Sequence, residues 1–273
     1  MHVLLVYFSA TGNTSKIGRV IKSELEQLGA RVDEYDITSY QDRQRQLDVG
    51  PYDAVVFGFP VHSHRAPRVA REWLTSLDGS GKKCSTFFTY GGFQIHPAHH
   101  TTRQILETQG FHLVSSAEFL GAHTFNLGGW TAMEGRPDDS DYKLAREYTV
   151  ETYNRFTGEM PDTLQDFERT DQTEEHLDAI EAYRFYVVTQ GPSRLGEECS
   201  MCMLCEDLCP TEAMDAERGE TDRSKCIACL RCVATCPDEV LKINDLCQMW
   251  PIQLQIQNET EEGLVRKVSR LYL

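Results

Sequence analysis

The chain has 273 residues, of which 42 are acidic and 27 are basic, so its formal net charge is −15. A surface this acidic lacks the clustered Lys and Arg that nucleic-acid binding requires, which excludes a nucleic-acid partner. No stretch approaches the ~18–20 uninterrupted apolar residues of a membrane-spanning helix, and the opening residues lack the basic flank and cleavage site of a signal peptide. We therefore expect a cytoplasmic protein, and its length predicts two domains.

The first 157 residues alternate strand-like and helix-like segments. Short apolar runs bounded by turn residues predict buried parallel strands, and apolar residues spaced i, i+3, i+4 predict the helices between them. The predicted strands are residues 2–8, 31–37, 53–59, 85–91 and 111–121. The last predicted helix spans 139–156. Residues 1–157 are therefore expected to form an α/β domain, with helices on both faces of a doubly wound, five-stranded parallel sheet.

Two further segments have helical apolar patterns. Residues 158–190 form an acidic connector with a net charge of −7, and its predicted helix carries Leu177, Ile180, Arg184 and Val187 on one face. Residues 248–273 form a C-terminal tail, whose helix would be buried on the same chain or against a second copy in a homodimer. The apolar residues of the tail helix are Leu264, Val265, Val268 and Leu271.

Eight of the ten cysteines lie in residues 199–236, within a cysteine-rich segment that spans 191–247 and has a net charge of −6. They form two copies of C-x2-C-x2-C-x3-C-P, and each residue of the first copy recurs 27 positions later, as Cys199 recurs at Cys226. A strict repeat of this kind indicates a duplicated unit. Because nothing points to secretion, the cysteines indicate a metal centre rather than a disulfide framework.

The spacing within each copy is that of a bacterial 4Fe–4S motif, in which the fourth cysteine binds the other cluster when two copies are present. Two clusters are therefore predicted. The ligands of cluster I would be Cys199, Cys202, Cys205 and Cys236, and those of cluster II would be Cys226, Cys229, Cys232 and Cys209. The alternative is structural zinc, which is usually bound by two separated C-x2-C pairs.

Residues 190–245 resemble a bacterial two-cluster ferredoxin, which implies a small α+β domain. The sequence departs from that family at the position after the second cysteine of each copy. This position is often Gly in the family, but it is Met203 in the first copy and Leu230 in the second. The other two cysteines lie outside the repeat. We expect Cys84 to be a small apolar core residue, and Cys247 has no visible partner.

The loop between the first predicted strand and the first predicted helix is suited to a phosphate. Free N–H groups and the positive end of the helix dipole meet there, hydroxyls add donors, and glycine allows close approach. There is no P-loop lysine and no GxGxxG, which disfavours a nucleoside triphosphate or a nicotinamide dinucleotide. The alternative is a loop that only caps the helix. The candidate phosphate residues are Ser9, Thr11, Gly12, Asn13 and Thr14.

This loop, Ser9-Ala10-Thr11-Gly12-Asn13-Thr14, resembles the FMN phosphate loop of flavodoxins, and the resemblance extends over residues 1–157. It implies the strand order 2-1-3-4-5 with FMN at the switch point, between the loops that follow the third and fourth strands. Trp130 is a further candidate to stack on the flavin. The residues of those two loops expected at the isoalloxazine ring are Pro60, Val61, His62, Tyr90, Gly91, Gly92 and Phe93.

Several histidines and two arginines lie near these loops. The histidines suggest a second metal or a proton donor beside the flavin, but solvated or helix-capping histidines are the simpler interpretation. His62 is the one expected to contact the flavin. Arg65 and Arg68 could dock an anionic substrate or an acidic partner. The other loop histidines are His64, His96, His99 and His100.

Together the two parts resemble the flavodoxin–ferredoxin fusion proteins of anaerobic bacteria and archaea. The resemblance implies low-potential electron transfer between two 4Fe–4S clusters and FMN, and on to or from a redox protein with a basic docking surface. The alternative is a reductase whose flavin acts on a small-molecule acceptor, with the clusters supplying electrons. A redox sensor is a third, weaker hypothesis. Residues 120–137 match no pattern of these families, and we expect a substrate or partner to be recognised there.

Overall fold

The structure is a computed structural model that describes residues 1–164, 167, 169–184 and 188–273. Its main sheet has the strand order β2-β1-β3-β4-β5-β8. The first five strands in this order are parallel, and their arrangement confirms the predicted doubly wound order. The strands of the sheet are β1 (His2–Tyr7), β2 (Arg31–Asp36), β3 (Ala54–Pro60), β4 (Lys83–Tyr90), β5 (His112–Leu120) and β8 (Arg270–Tyr272).

Helices connect these strands and cover both faces of the sheet. A short helix, α2, was not predicted. Helix α5 begins at a capping box. The Asp138 side chain accepts from backbone N–H groups of the first turn, and the Asp141 side chain accepts from the Asp138 backbone N–H. The helices of this part are α1 (Asn13–Gln27), α2 (Tyr40–Gln44), α3 (Arg68–Leu74), α4 (His96–Thr108) and α5 (Asp139–Thr157), with one 3₁₀ turn at Thr124–Gly128.

The central strands β1 and β3 are buried on both faces because they are almost entirely apolar, whereas the edge strand β2 is charged and partly exposed. Alternate residues of β1 enter two separate cores: Val3 and Leu5 pack on the side of α1 and α5, whereas Leu4 and Val6 pack on the opposite side. This is the pattern that a parallel sheet between two helical layers requires. Cys84, in β4, is fully buried in the second of these cores, as predicted.

The sheet has six strands rather than the predicted five, because the tail supplies the last one. Strand β8 pairs antiparallel with β5, so that Ala117 lies opposite Leu271. The predicted tail helix is only partly correct. Leu264 is buried in α10, but Val265 is 82% exposed and Leu271 lies in a strand. The backbone of residues 270–272 pairs with β5, and this tertiary pairing outweighs the helical pattern of the sequence. The tail helices are α9 (Met249–Ile256) and α10 (Glu261–Val265).

The connector contains α6 (Glu174–Tyr183), and the predicted face residue Val187 lies outside the described residues. The cysteine-rich segment has little regular structure. Its backbone contacts the sheet domain where Arg43 donates to the Pro210 carbonyl. Among the described residues, no helix is long and apolar enough to cross a membrane. The elements of the cysteine-rich segment are α7 (Leu204–Asp207), β6 (Met214–Asp215), β7 (Glu220–Thr221) and α8 (Arg231–Thr235).

Candidate functional site

The conformation of the loop between β1 and α1 is fixed by a hydrogen bond to α1 and by a glycine at the start of the helix. The Ser9 hydroxyl accepts from the Ser15 N–H at 3.0 Å. Gly12 takes the N-cap position with φ 96°, a left-handed conformation that favours glycine. Gly12 has no side chain to cap the first turn of α1, and among the described hydrogen bonds Ser15 is the one residue of that turn whose N–H is taken by a side chain. The turn therefore keeps donors for an anion, which fits the phosphate of FMN.

Two residues of this loop tie it to the neighbouring strands. The Thr14 and Thr89 hydroxyls are hydrogen-bonded at 2.8 Å, which joins α1 to the end of β4. The Asn13 amide donates to the Ala122 carbonyl at 3.0 Å, which joins α1 to the loop after β5. The carboxyl ends of the parallel strands thus meet around one site, as expected at a switch point.

Two adjoining cavities open at this edge of the sheet. The smaller, of about 40 Å³, lies over the phosphate loop, and the larger has a volume of about 510 Å³. A cavity of the larger size suits a cofactor or a drug-sized ligand. Three predicted flavin residues line both cavities: Val61, Tyr90 and Gly91. The smaller cavity is also lined by Ser9, Thr11, Asn13, Thr14, Pro60 and His62.

The other predicted residues are placed differently. Phe93 lines the larger cavity. Gly12 and Gly92 line neither of the two cavities. A Cβ at Gly92 would lie 2.8 Å from the methyl carbon of Met133, so this glycine permits close packing behind the cavity. Its φ of 83° also favours glycine.

An aromatic cluster forms one wall of the larger cavity. Trp130 lies at its centre, with ring centroids 5.0 Å from His123, 5.1 Å from Phe125 and 5.5 Å from Trp250. Trp130 is 4% exposed, yet its indole N–H has no hydrogen-bond partner among the described residues. A buried donor without a partner is costly, so a ligand acceptor in this cavity would satisfy it. This wall fits a planar, hydrogen-bonding ring such as isoalloxazine.

The opposite wall comes from the connector and the tail, which the sequence did not connect with the flavin. Arg184 is notable because it lines both cavities. These residues lie far from the flavodoxin-like loops in sequence, and their only sequence signal was an amphipathic pattern. The connector contributes Gln172, His176, Ala179, Ile180, Tyr183, Arg184 and Val188, and the tail contributes Gln253, Ile256 and Gln257.

The two histidines beside the smaller cavity are uncharged. Burial lowers the pKa of His62 well below its usual value, and the Arg184 charge lowers it further. Burial and the same arginine lower the pKa of His123 to about 3. The Phe125 N–H donates to His123 Nδ1 at 3.0 Å, which places the ring proton on Nε2. Both rings can therefore donate or accept hydrogen bonds without adding charge.

The interpretation of the loop histidines as solvated residues is wrong for at least two of them. His62 is 6% exposed, and His99 is 1% exposed. His99 bonds Ser116 at 2.8 Å and Glu118 at 3.3 Å, away from the phosphate loop. Among the described residues, no three His, Cys, Asp or Glu side chains are arranged to hold a single metal ion.

Arg65 anchors the connector instead of docking an external anion. Its side chain is 2% exposed, and its guanidinium donates to Glu174 at 2.8 Å, Asp178 at 2.6 Å and Glu181 at 2.8 Å. All three acids belong to α6, so this network fixes the connector against the loop after β3. Much of the connector's negative charge is therefore used within the molecule.

The eight repeat cysteines fall into two groups in space. Cys209 lies close to Cys226, Cys229 and Cys232: burial raises the pKa of each of these three thiols, and the nearby Cys209 raises it further. Cys199, Cys202, Cys205 and Cys236 instead line one small apolar cavity. The structure thus brings the fourth cysteine of each copy next to the first three of the other. Thiolates are the ligands that iron–sulfur clusters require, so both groups fit a 4Fe–4S cluster, and the individual ligands stay predictions.

The two copies also share an unusual backbone. Met203 and Leu230 both adopt left-handed conformations, with φ of 62° and 57°. This conformation explains why glycine is common there in ferredoxins, because only glycine adopts it without strain. The residues before the second cysteines, Met201 and Ala228, are left-handed as well, with φ of 56° and 46°.

The group of Cys209, Cys226, Cys229 and Cys232 is connected to the flavin cavities through Arg184, whereas the group of Cys199, Cys202, Cys205 and Cys236 is less buried. Arg184 donates to the Ala228 carbonyl at 3.0 Å, within the loop between Cys226 and Cys229. Cys229 is 7% exposed and belongs to the apolar core that contains Tyr90 and Trp130. Cys202, in the first group, is exposed. We call the group that contains Cys229 proximal and the group that contains Cys202 distal.

Family comparisons agree with this architecture. Residues 4–122 match the flavodoxin domain, and residues 192–237 match the 4Fe-4S dicluster domain. The chain is therefore a fusion of a flavodoxin domain with a two-cluster ferredoxin domain, and its cofactors are FMN and two 4Fe–4S clusters. It is a flavin and iron–sulfur electron-transfer protein.

No curated protein matches the chain. Similar solved structures include a flavodoxin from the domain Archaea, with 15% identity over 57% of this chain and 99% of that chain, and a TM-score of 0.43. Flavodoxin 2 from Bacillus cereus has 18% identity over 57% of this chain and 99% of that chain, with a TM-score of 0.43. The rubredoxin oxygen:oxidoreductase of Desulfovibrio gigas has 15% identity over 59% of this chain and 37% of that chain, with a TM-score of 0.46.

Proposed function

We propose that this protein passes low-potential electrons between a redox partner at the distal cysteine group and the flavin cavity, by way of the proximal group. When bound, each cluster carries one electron and FMN holds one or two, so the flavin can join one-electron to two-electron chemistry. The observation that carries the proposal is the hydrogen bond from Arg184 to Ala228, which ties the proximal cysteine loop to the flavin cavities. Eight reduced cysteines suit the cytoplasm of an anaerobe.

The surface around the distal group supports a docking role. Leu195, Met201 and Leu204 are 78%, 44% and 40% exposed beside these cysteines. Exposed acidic residues surround them, among them Glu197, Glu198, Asp207 and Asp238. An apolar centre with a charged rim is the usual design of an interface, and its charge fits a partner with a basic surface.

Electron transfer from the reduced protein to oxidised cytochrome c, a basic one-electron acceptor, tests this surface. We expect the second-order rate to fall as salt rises from about 20 to 200 mM, because screening weakens attraction between the surfaces. The double variant Glu197→Gln, Glu198→Gln should slow the reaction at low salt. Glu262→Gln, an 84% exposed acid in the tail, is the matched control and should leave the rate unchanged. A rate insensitive to salt and to the double variant would contradict the proposed docking surface.

A second candidate function is a reductase that acts on a small molecule at the flavin. The covering of the larger cavity by α6 and α9 favours it, since a flavin that meets a protein partner directly would leave its edge exposed. Neutral amide and imidazole groups line the walls and could orient a polar acceptor. The rate at which a small quinone reoxidises the reduced flavin distinguishes the two functions. A rate that saturates with quinone concentration supports a substrate site, whereas a rate that rises linearly supports electron transfer alone.

A further inference from the structure

Arg184 stands between the two redox sites. It follows α6 and lines both flavin cavities, while its guanidinium donates to the Ala228 carbonyl at 3.0 Å. The same guanidinium lies 4.9 Å from the centroid of the Phe125 ring. One cation therefore acts on both sites.

Among the described residues, no carboxylate forms an ion pair with Arg184, although the charge of Glu181 acts on it at longer range. Glu181, the nearest acid in sequence, is bound by Arg65 at 2.8 Å and by Arg71 at 2.9 Å. The two histidines in the smaller cavity are neutral. Burial lowers the pKa of Arg184 to about 10, so the side chain remains charged at neutral pH. A buried cation that is not paired with a carboxylate acts strongly on any charge that appears nearby.

We propose that Arg184 is an electrostatic positioning residue that favours the presence of an electron at both the flavin and the proximal cluster. The proposal rests on the proposed electron-transfer function. One electron moves between the two sites, so one is oxidised as the other is reduced, and no atom or proton transfer is needed for that step. Because Arg184 faces both, it stabilises the added negative charge at either end and raises both reduction potentials.

Arg184→Gln tests the proposal by removing the charge while keeping a polar side chain. We expect the variant to bind reduced FMN about tenfold more weakly relative to oxidised FMN, which corresponds to a fall of ~59 mV for a one-electron couple. The potential of the proximal cluster should fall as well. Spectroelectrochemical titration of the loaded protein gives both values, and FMN dissociation constants in the two redox states give the first independently.

Two further variants separate charge from structure. Arg184→Lys keeps the charge and should hold the flavin potential near that of the parent. Arg43→Gln removes another arginine that donates to a carbonyl of the cysteine-rich segment, at Pro210, but that lines neither flavin cavity. It should leave the flavin potential unchanged.

The possible results all bear on the proposal. A loaded Arg184→Gln protein with the parental flavin potential would overturn it, as would an equal shift in Arg43→Gln. Loss of cofactors from Arg184→Lys would also overturn it, because the charge alone would then be insufficient. Loss of FMN from Arg184→Gln with retention in Arg184→Lys would support it. Absence of FMN or iron in the parent protein would instead contradict the proposed function, so the two failures are distinguishable.

Discussion

Cys209 lies beside the first three cysteines of the second repeat, although it belongs to the first. Cys236, from the second repeat, lines the same cavity as the first three cysteines of the first repeat. The sequence could predict this exchange because the doubled motif has a known cross-ligated geometry. It could not predict that one group would be buried near the flavin and the other exposed, since that depends on how the segment docks on the sheet domain.

Cys209→Ala should remove the proximal cluster and keep the distal one. Iron content should fall from about eight to about four atoms per chain, because Cys226, Cys229 and Cys232 lose their fourth ligand. Cys247→Ala is the matched control. Cys247 is exposed and lies outside the repeat, so this variant should keep about eight iron atoms per chain. Iron analysis with electron paramagnetic resonance makes the measurement. Selective loss of the distal signal in Cys209→Ala would show that the ligand assignment is wrong.

His123 should make the folded protein sensitive to acid. Its folded pKa is about 3, below the 6.5 of an unperturbed histidine, so the unfolded chain binds the proton more readily. The stabilisation is fully present above pH 6.5 and is lost as pH falls from 6.5 toward 3. One pH unit below 6.5, the loss is about 1.4 kcal/mol, or roughly 3–5 °C in melting temperature.

His123→Asn should therefore reduce the change in melting temperature between pH 7.5 and pH 5.5. Asparagine can still accept the hydrogen bond from the Phe125 N–H at the start of the 3₁₀ turn, as His123 Nδ1 does at 3.0 Å. Calorimetry of both proteins at the two pH values measures the effect. An identical pH dependence in parent and variant would show that His123 contributes nothing to the acid sensitivity.

At the scale of elements, the connector is held mainly by one buried arginine. Arg65→Ala removes the only side chain that joins Glu174 and Asp178 to the loop after β3 in the described contacts. Those two acids are each 68% exposed and can turn to water, so we expect a cost of about 2–4 kcal/mol and faster proteolysis near α6. Arg31→Ala, at a 75% exposed arginine, should change stability by less than about 0.5 kcal/mol. Equal proteolysis of the two variants would contradict the anchoring role.

The tail strand is fixed by a buried carboxylate. Tyr272 donates to Glu118 at 2.8 Å, and Glu118 is 2% exposed. Burial alone would raise the pKa of Glu118, but hydrogen bonds from His99 and Tyr272 outweigh it and hold the pKa below its usual value. Tyr272→Phe should cost about 1.5–3 kcal/mol and speed amide exchange in β8, measured by hydrogen–deuterium exchange. Unchanged exchange in β8 would show that this bond does not fix the strand.

The elements differ in how far the sequence predicted them. Strands β1 and β3 were predictable because a parallel strand buried on both faces leaves an unbroken apolar run. Strand β2 is more polar and only partly buried, as its prediction as an edge strand required. Strand β8 was missed because three residues carry no such signal, and its pairing with β5 spans more than 140 positions between Ala117 and Leu271. The loops of the flavin site were predicted from the fold. The parts of the cavity wall formed by Arg184 and Ile256 were not predicted, because no local sequence pattern shows how the connector and the tail dock on the sheet.

At the scale of the whole molecule, most of the net charge of −15 lies in the connector and the cysteine-rich segment, and the acidic residues of these two segments have different roles. Three of the four acids of α6, Glu174, Asp178 and Glu181, are paired with Arg65 or Arg71 within the molecule. The acids around the distal cysteines are exposed, and in the proposed function they are the ones that meet a basic redox protein. On that proposal, the surface that exchanges electrons with a partner is separate from the flavin cavity.

The central claim is that one chain holds two clusters and a flavin that exchange electrons. Anaerobic purification followed by iron, sulfide and flavin analysis, and then by reductive titration, tests it most directly. We predict about eight iron atoms and one FMN per chain, with electrons shared among all three centres during the titration. A protein that contains zinc in place of iron, or that binds no flavin, would contradict the account.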